Sequence, residues 1–217
     1  MSGRELPLVT GEHYHIFNRG VARLPTFLDD RDYRQAVLSL SYYQFVHPPI
    51  KLSRYKSLPR VEKDKLLEDL NQNGQKWIQI ISFVFMPNHF HFLLKQNSDD
   101  GISKFVGQFS NSYTRYFNTR HSRPGSLFQG TFKAVHVESE EQLIHLSRYI
   151  HLNPYVSAVV KKDQLATYPW SSYPDFLQGK SQLPGFKSPA AYESFVSNHA
   201  DYARELEIIK HLTMDLD

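Results

Sequence analysis

Two hydrophobic periods alternate along the chain, and the places where one gives way to the other divide it into elements. His13–Val21 (HYHIFNRGV) alternates and runs out beside Gly20, which predicts a strand at the edge or in the second row of a sheet. After Asp29 and Asp30 the spacing becomes helical. Tyr33, Ala36, Val37 and Leu40 make one stripe, and His47-Pro48-Pro49 stops the helix near Val46. Residues 48–75 are polar, with an alternating charge block (VEKDKLLEDL), and read as a surface insertion with one short helix that ends at the Asn73-Gly74 turn. Lys76–Met86 is almost uniformly apolar, the pattern of a central strand covered on both faces. Pro87-Asn88 turns the chain, and His89–Gln96 returns as an antiparallel partner.

The second half repeats the scheme. Ile102, Phe105, Val106, Phe109, Tyr113, Tyr116 and Phe117 form the buried stripe of a helix over Ile102–Asn118, and spacing this regular marks Tyr113 and Tyr116 as packing residues. A loop follows over Thr119–Lys133, then a strand over Lys133–Glu138. Ser139 with Gln142 three residues later predicts a capped helix over Ser139–Asn153, and Pro154 is expected to end it. The segment YPWSSY, Tyr168–Tyr173, should fold back on the domain, and helices are expected at Pro189–Ser197 and Asp201–His211. The order strand, helix, strand, strand, helix, strand, helix predicts an α+β fold. Helices on one face of an antiparallel sheet with split βαβ units make it ferredoxin-like.

Composition narrows the picture. A chain of 217 residues, 41% hydrophobic and 22% charged, suits one packed domain. The division expected is a core over residues 1–178, carrying the insertion at 48–75, and a helical appendage over 179–217. The absence of cysteine excludes disulfides, thiolate metal sites and a cysteine nucleophile. No run has the length of a membrane-spanning helix, and no signal-peptide pattern opens the chain, so a cytoplasmic protein with no membrane partner is expected. The net charge of +3 is weak, but it is unevenly spread. Between Gly101 and Val137 stand Lys104, Arg115, Arg120, Arg123 and Lys133, with no Asp or Glu. That predicts a positive strip, interleaved with Phe and Tyr, able to hold a phosphate backbone. Arg19 and Arg23, beside the end of the first strand, could also meet phosphates.

Candidate chemistry sits on two stretches. In the strand Phe83–Lys95 region, His89 and His91 lie two apart, so both point to one face while Phe90, Phe92 and Leu94 point to the other. Two imidazoles on one strand face are half of a divalent-metal site. His13 and His15 repeat the spacing and are read as a partly exposed strand face. On the capped helix, His145, Tyr149 and Asn153 are spaced i, i+4, i+8 and share a face, so a phenol and an amide oxygen can be presented together. His151 lies round the helix from them, which gives it a structural role.

The segments FVFMPNHFHFLL, SYTRYFNTRHSRPGSLFQGTFKA, RYIHLNP and YPWSSY occur in the order found in REP-associated tyrosine transposases. The chain resembles that family, part of the HUH single-strand endonuclease superfamily, over about residues 13–178. The resemblance implies a ferredoxin-like sheet with the HUH motif on a central strand. It puts the metal-binding pair on His89 and His91, the third ligand on Asn153 and the catalytic tyrosine on Tyr149. It also implies a divalent ion, Mg²⁺ or Mn²⁺, and a reaction that cleaves and rejoins single-stranded or hairpin DNA of REP type through a 5′-phosphotyrosine. A homodimer is a further partner expectation. The rival expectation is a repeat-DNA-binding regulator of the same fold that does not cleave.

Overall fold

A computed structural model describes residues 7–181 and 183–198. Four strands, β1 (His13–Arg19), β2 (Ile78–Met86), β3 (His89–Gln96) and β4 (Lys133–Val137), form one antiparallel sheet in the order β2-β3-β1-β4. Helix α1 (Asp30–Tyr43) links β1 to β2, and β3 lies between those two strands, which is the split βαβ unit of a ferredoxin-like fold. Two helices, the short α2 (Leu52–Ser57) and the longer α3 (Arg60–Asn73), occupy the inserted segment. Helix α4 (Gly101–Arg120) joins β3 to β4, and α5 (Glu140–Val156) follows β4. Beyond it lie α6 (Tyr173–Leu177) and α7 (Pro189–Ser197). The helix expected at Asp201–His211 falls outside the described residues.

The period-two rule places each face of the sheet as expected, but both faces are covered. Phe90, Phe92 and Leu94 of β3 and Ile16 of β1 are buried against Ala36 and Leu40 of α1 and Phe105, Phe109 and Tyr113 of α4. Leu93, Val84 and Met86 face the other way, against Leu143, Leu146 and Ile150 of α5 and Tyr192 of α7. The expectation of helices on one face alone is corrected, because α5 carries its own apolar stripe and needs its own sheet surface. Tyr113 is a packing residue as expected: it is fully buried and donates its hydroxyl to the carbonyl of Thr26 at 2.6 Å.

Three other local readings change. The insertion holds two helices, and its Leu52, Tyr55 and Leu70 make a small core with Tyr42 and Phe45 at the end of α1. Pro154 does not end α5, which runs to Val156. A proline in the last turn loses one backbone bond, and the Ser157 amide and hydroxyl both donate to Asn153 there. The third change concerns β2, which read as a central strand and is an edge strand. Its apolar character has another cause. Residues 168–173 lie along its open side: Phe85 N–H donates to the Trp170 carbonyl at 2.8 Å, Ser172 N–H to the Phe83 carbonyl at 3.0 Å, and the Tyr168 hydroxyl to the Phe85 carbonyl at 2.8 Å. A covered edge needs no charged side chains to prevent strand pairing with other chains.

Helices α1 and α4 are tied at one end by charge. The Arg120 guanidinium donates to Asp29, the N-cap of α1, at 2.6 Å and also to Asp32, whose side chain is wholly buried. Arg120 holds the Asp29 carboxyl well below the usual carboxylate range. Asp32 also accepts from Leu28 N–H and contacts His121.

Two predictions follow from this packing. Trp170→Ala removes the ring stacked on Tyr33 at 5.0 Å and should lower stability by about 3 kcal/mol in urea denaturation, while the backbone bonds of residues 168–173 to β2 remain. Arg120→Met leaves Asp32 buried without its strongest partner. It should lower the urea midpoint in the same measurement, by less than the loss of a fully buried pair would because Leu28 and His121 still contact Asp32.

Candidate functional site

The site forms where the β2–β3 hairpin turn meets the C-terminal half of α5. A cleft of about 240 Å³ is lined by Arg19, Arg23, Asn88, His89, Tyr149 and Asn153, with Val156 and Ser157 at its side. The sheet supplies the histidines because β3 leaves a two-residue turn with His89 paired to Met86 of β2 and to Arg19 of β1. The helix supplies the phenol and the amide because Tyr149 and Asn153 are one turn apart, while Leu146 and Ile150 hold that helix on the sheet.

The two imidazoles differ in setting. His91 is fully buried. Its Nδ1 lies 2.9 Å from Nε2 of His15, and its Nε2 is buried with no hydrogen-bond partner among the described residues. His89 is half-buried, with Nδ1 2.6 Å from Oδ1 of Asn88, and it is also hydrogen-bonded by the side chain of Asn153. The His89 and His91 rings stand 5.0 Å apart and perpendicular, at 89°. The Tyr149 ring meets His91 edge-on at 5.6 Å and His15 at 6.4 Å.

Burial sets the protonation. It pushes the His89 pKa down to about 4, aided by the nearby charge of Arg19, and holds that of His91 well below the ordinary imidazole value. Both rings are therefore neutral at neutral pH, which is the form that ligates a metal.

These residues fit a divalent ion. The two rings, with centroids 5.0 Å apart, would each offer one neutral nitrogen to a shared ion. His91 offers a buried nitrogen that otherwise lacks a partner, with the opposite nitrogen fixed by His15. His89 is fixed in the same way by Asn88, and Asn153 adds an amide oxygen. Two nitrogens and one oxygen could hold such an ion and leave positions open.

The structure thus brings His89, His91, Tyr149, Asn153 and Arg19 to one place. It does not gather the basic residues of α4 and the following loop. Lys104 lies over the Trp77 ring at 4.7 Å, beside the start of β2 and so at the far end of the sheet. Arg115 lines a separate groove between α1 and α4. Arg120 is engaged by Asp29 and Asp32. Arg123 bonds Asn118 in the last turn of α4, and Lys133 is exposed on edge strand β4.

Two residues at or behind the cleft carried little signal in the sequence. His15, read as partly exposed, is fully buried behind His91, and the only hint was the repeated HxH spacing in β1. Asn88, read as a turn former, holds His89 and also donates to the Arg23 carbonyl at 3.1 Å. Arg23 sits on a turn whose Ala22 and Arg23 are left-handed, with φ of 55° and 59°. Gly20 lets that turn close, since a Cβ there would stand 2.2 Å from the Leu24 carbonyl oxygen. His145 packs on Phe195 of α7 and is absent from the cleft. His151 is structural as expected, buried between the Tyr192 hydroxyl and Ser172 Oγ at 2.7 Å each.

Comparison with known proteins bears on the fold and the family. No curated protein matches the chain significantly. Among solved structures, that of a REP-associated tyrosine transposase bound to a REP hairpin aligns with a TM-score of 0.55 over 84% of this chain and 88% of that one, at 15% identity, a likeness of fold. No described helix is long and apolar enough to cross a membrane. The model of the IS200-like transposases matches residues 38–153, a span that includes His89, His91, Tyr149 and Asn153, and the chain belongs to that family.

Proposed function

We propose that the protein is a metal-dependent single-strand DNA endonuclease and transposase that cuts and rejoins DNA through Tyr149. The observation that carries this reading is the shared cleft: the Tyr149 phenol, the Asn153 amide and His89 line one opening, with the partnerless Nε2 of His91 buried behind. A phenol beside neutral imidazoles and arginines, on the rim of a sheet, suits attack on a phosphodiester more than attack on an uncharged substrate.

The step balances as a transesterification. The Tyr149 oxygen bonds to phosphorus as the bond from phosphorus to the 3′ oxygen breaks. The phenol proton leaves to solvent and the 3′ oxygen takes one up as it departs as a hydroxyl. A 5′-phosphotyrosine remains, and attack by a 3′-hydroxyl reverses the step, so strands are exchanged without hydrolysis. Arg19 and Arg23 can balance charge on the phosphate oxygens. His89, His91 and Asn153 would hold Mg²⁺ or Mn²⁺, which when bound supplies Lewis-acid stabilisation of a non-bridging phosphate oxygen. The likeness of fold to a transposase bound to a REP hairpin supports a hairpin with unpaired flanks as the substrate class, and a DNA-binding regulator that does not cleave is the reading left if no adduct forms.

Incubation with a labelled single-stranded hairpin oligonucleotide and Mn²⁺ tests this directly. The wild type should give a denaturation-resistant adduct at Tyr149, and Tyr149→Phe should bind DNA and Mn²⁺ normally yet form none. An adduct on the Phe variant would move the nucleophile elsewhere. His15→Leu should weaken Mn²⁺ binding by about 10–100-fold in direct titration, with His15→Gln losing less because it can still bond His91. Equal Mn²⁺ affinity in all three proteins would remove His15 from the site.

A further inference from the structure

On the sheet face away from Tyr149, α1, α4 and the inserted α2 enclose a groove of about 720 Å³, three times the volume of the cleft. Its lining includes Lys51, Lys56, Arg115 and Arg120 and no acidic side chain. Arg120 is already matched by Asp29 and Asp32. The other three cations make no ion pair among the described residues. Lys56 is the most telling of them. Its ammonium donates to Gln35 Oε1 at 2.6 Å and lies over the Tyr116 ring at 5.1 Å, so neutral groups fix it in place without cancelling its charge.

The floor and rim suit bases. Tyr43 and Tyr116 are half-buried, so each ring is held by packing and still meets the groove. The Tyr43 hydroxyl donates to Ser112 Oγ at 3.0 Å, which fixes that ring further. Exposed amides at Gln108 and Asn111 stand beside them, able both to donate and to accept. Aromatic faces set between unmatched cations and amides are what unpaired nucleotides require: a ring to stack on and a positive charge for each phosphate. The cations are spread over α2 and α4. A polymer with one charge per unit uses such a spread, whereas a compact polyphosphate needs its donors to converge. The volume lies in the range of pockets that enclose a small organic ligand, about 300–1,000 Å³.

We propose that this groove binds an unpaired stretch of DNA, a second contact point for the strand on the side of the sheet opposite the cleft. The choice of DNA as the polymer rests on the function proposed above, while the groove's chemistry does not depend on Tyr149. The groove also gives the insertion a task, since Lys51 and Lys56 belong to it and no cleft residue does.

The test uses the full chain, a fluorescein-labelled 20-nucleotide oligo(dT), and the double variant Lys51→Glu/Arg115→Glu. Neither residue touches the cleft. Anisotropy at about 0.15 M salt should show at least about tenfold weaker binding, and the slope of log affinity against log salt should fall by about 1.4 for the two lost phosphate contacts. Unchanged affinity in a variant with wild-type thermal midpoint would overturn the proposal. So would unchanged DNA affinity joined to an altered solution mass, which would assign the groove to a second copy of the chain. Should the variant fail to fold, photocross-linking of the wild type to an iodouracil-substituted oligonucleotide decides. Cross-links at Tyr43 or Tyr116 support the groove, and cross-links confined to the Tyr149 cleft overturn it. The outcome is separable from that of the catalytic reading: loss of oligo(dT) binding in the variant, with no adduct in the wild type, would keep the groove and remove the nuclease.

Discussion

The packing of α5 across β2 and β3 is the contact on which the site depends. Leu143, Leu146 and Ile150 bury one stripe of the helix against Val84, Met86 and Leu93. Tyr149 lies next to that stripe, so seating the apolar residues sets the phenol beside His91 and His15 without further adjustment. The same sheet could not hold its histidines there without the opposite core. Phe90 and Phe92 alternate with His89 and His91 and are locked by α4, which fixes the strand's rotation and hence the direction of both imidazoles.

Around that contact the polar groups are arranged so that the Nδ1 nitrogen of each imidazole is held by a neighbour. His15 takes Nδ1 of His91, and Asn88 takes Nδ1 of His89. Asn88 joins two requirements, since it also anchors the left-handed turn that carries Arg23 to the cleft. Backbone strain of that sort persists only where its surroundings over-determine it, and here the surroundings are the Gly20 close approach and the Asn88 bond. Burial keeps both rings neutral, so the electrostatics of the cleft are set by its two arginines.

The two faces of the sheet therefore divide the work. One carries the cleft under α5, and the other carries α1, α4 and a groove completed by the insertion. Arg120 shows why a cluster of basic residues in sequence is a weak guide to a binding strip. Its charge joins α4 to α1, and what remains for a ligand on that side is Arg115 with two lysines from a different segment.

The sequence by itself determined the parts that rest on local periodicity. The hairpin turn at Pro87-Asn88, the common face of His89 and His91, the shared helix face of Tyr149 and Asn153 and the packing role of Tyr113 all follow from periods of 2 and 3.6, which are properties of the backbone. Periodicity says which way a side chain points and is silent on what it will meet. Only the tertiary structure could decide that His15 backs His91 from 76 residues away, that residues 168–173 rather than a fifth strand cover β2, and that α5 takes the face opposite α4. Each is a contact between distant segments, set by which apolar surfaces remain uncovered once the local elements have formed, and that competition leaves no mark in any one stretch of sequence.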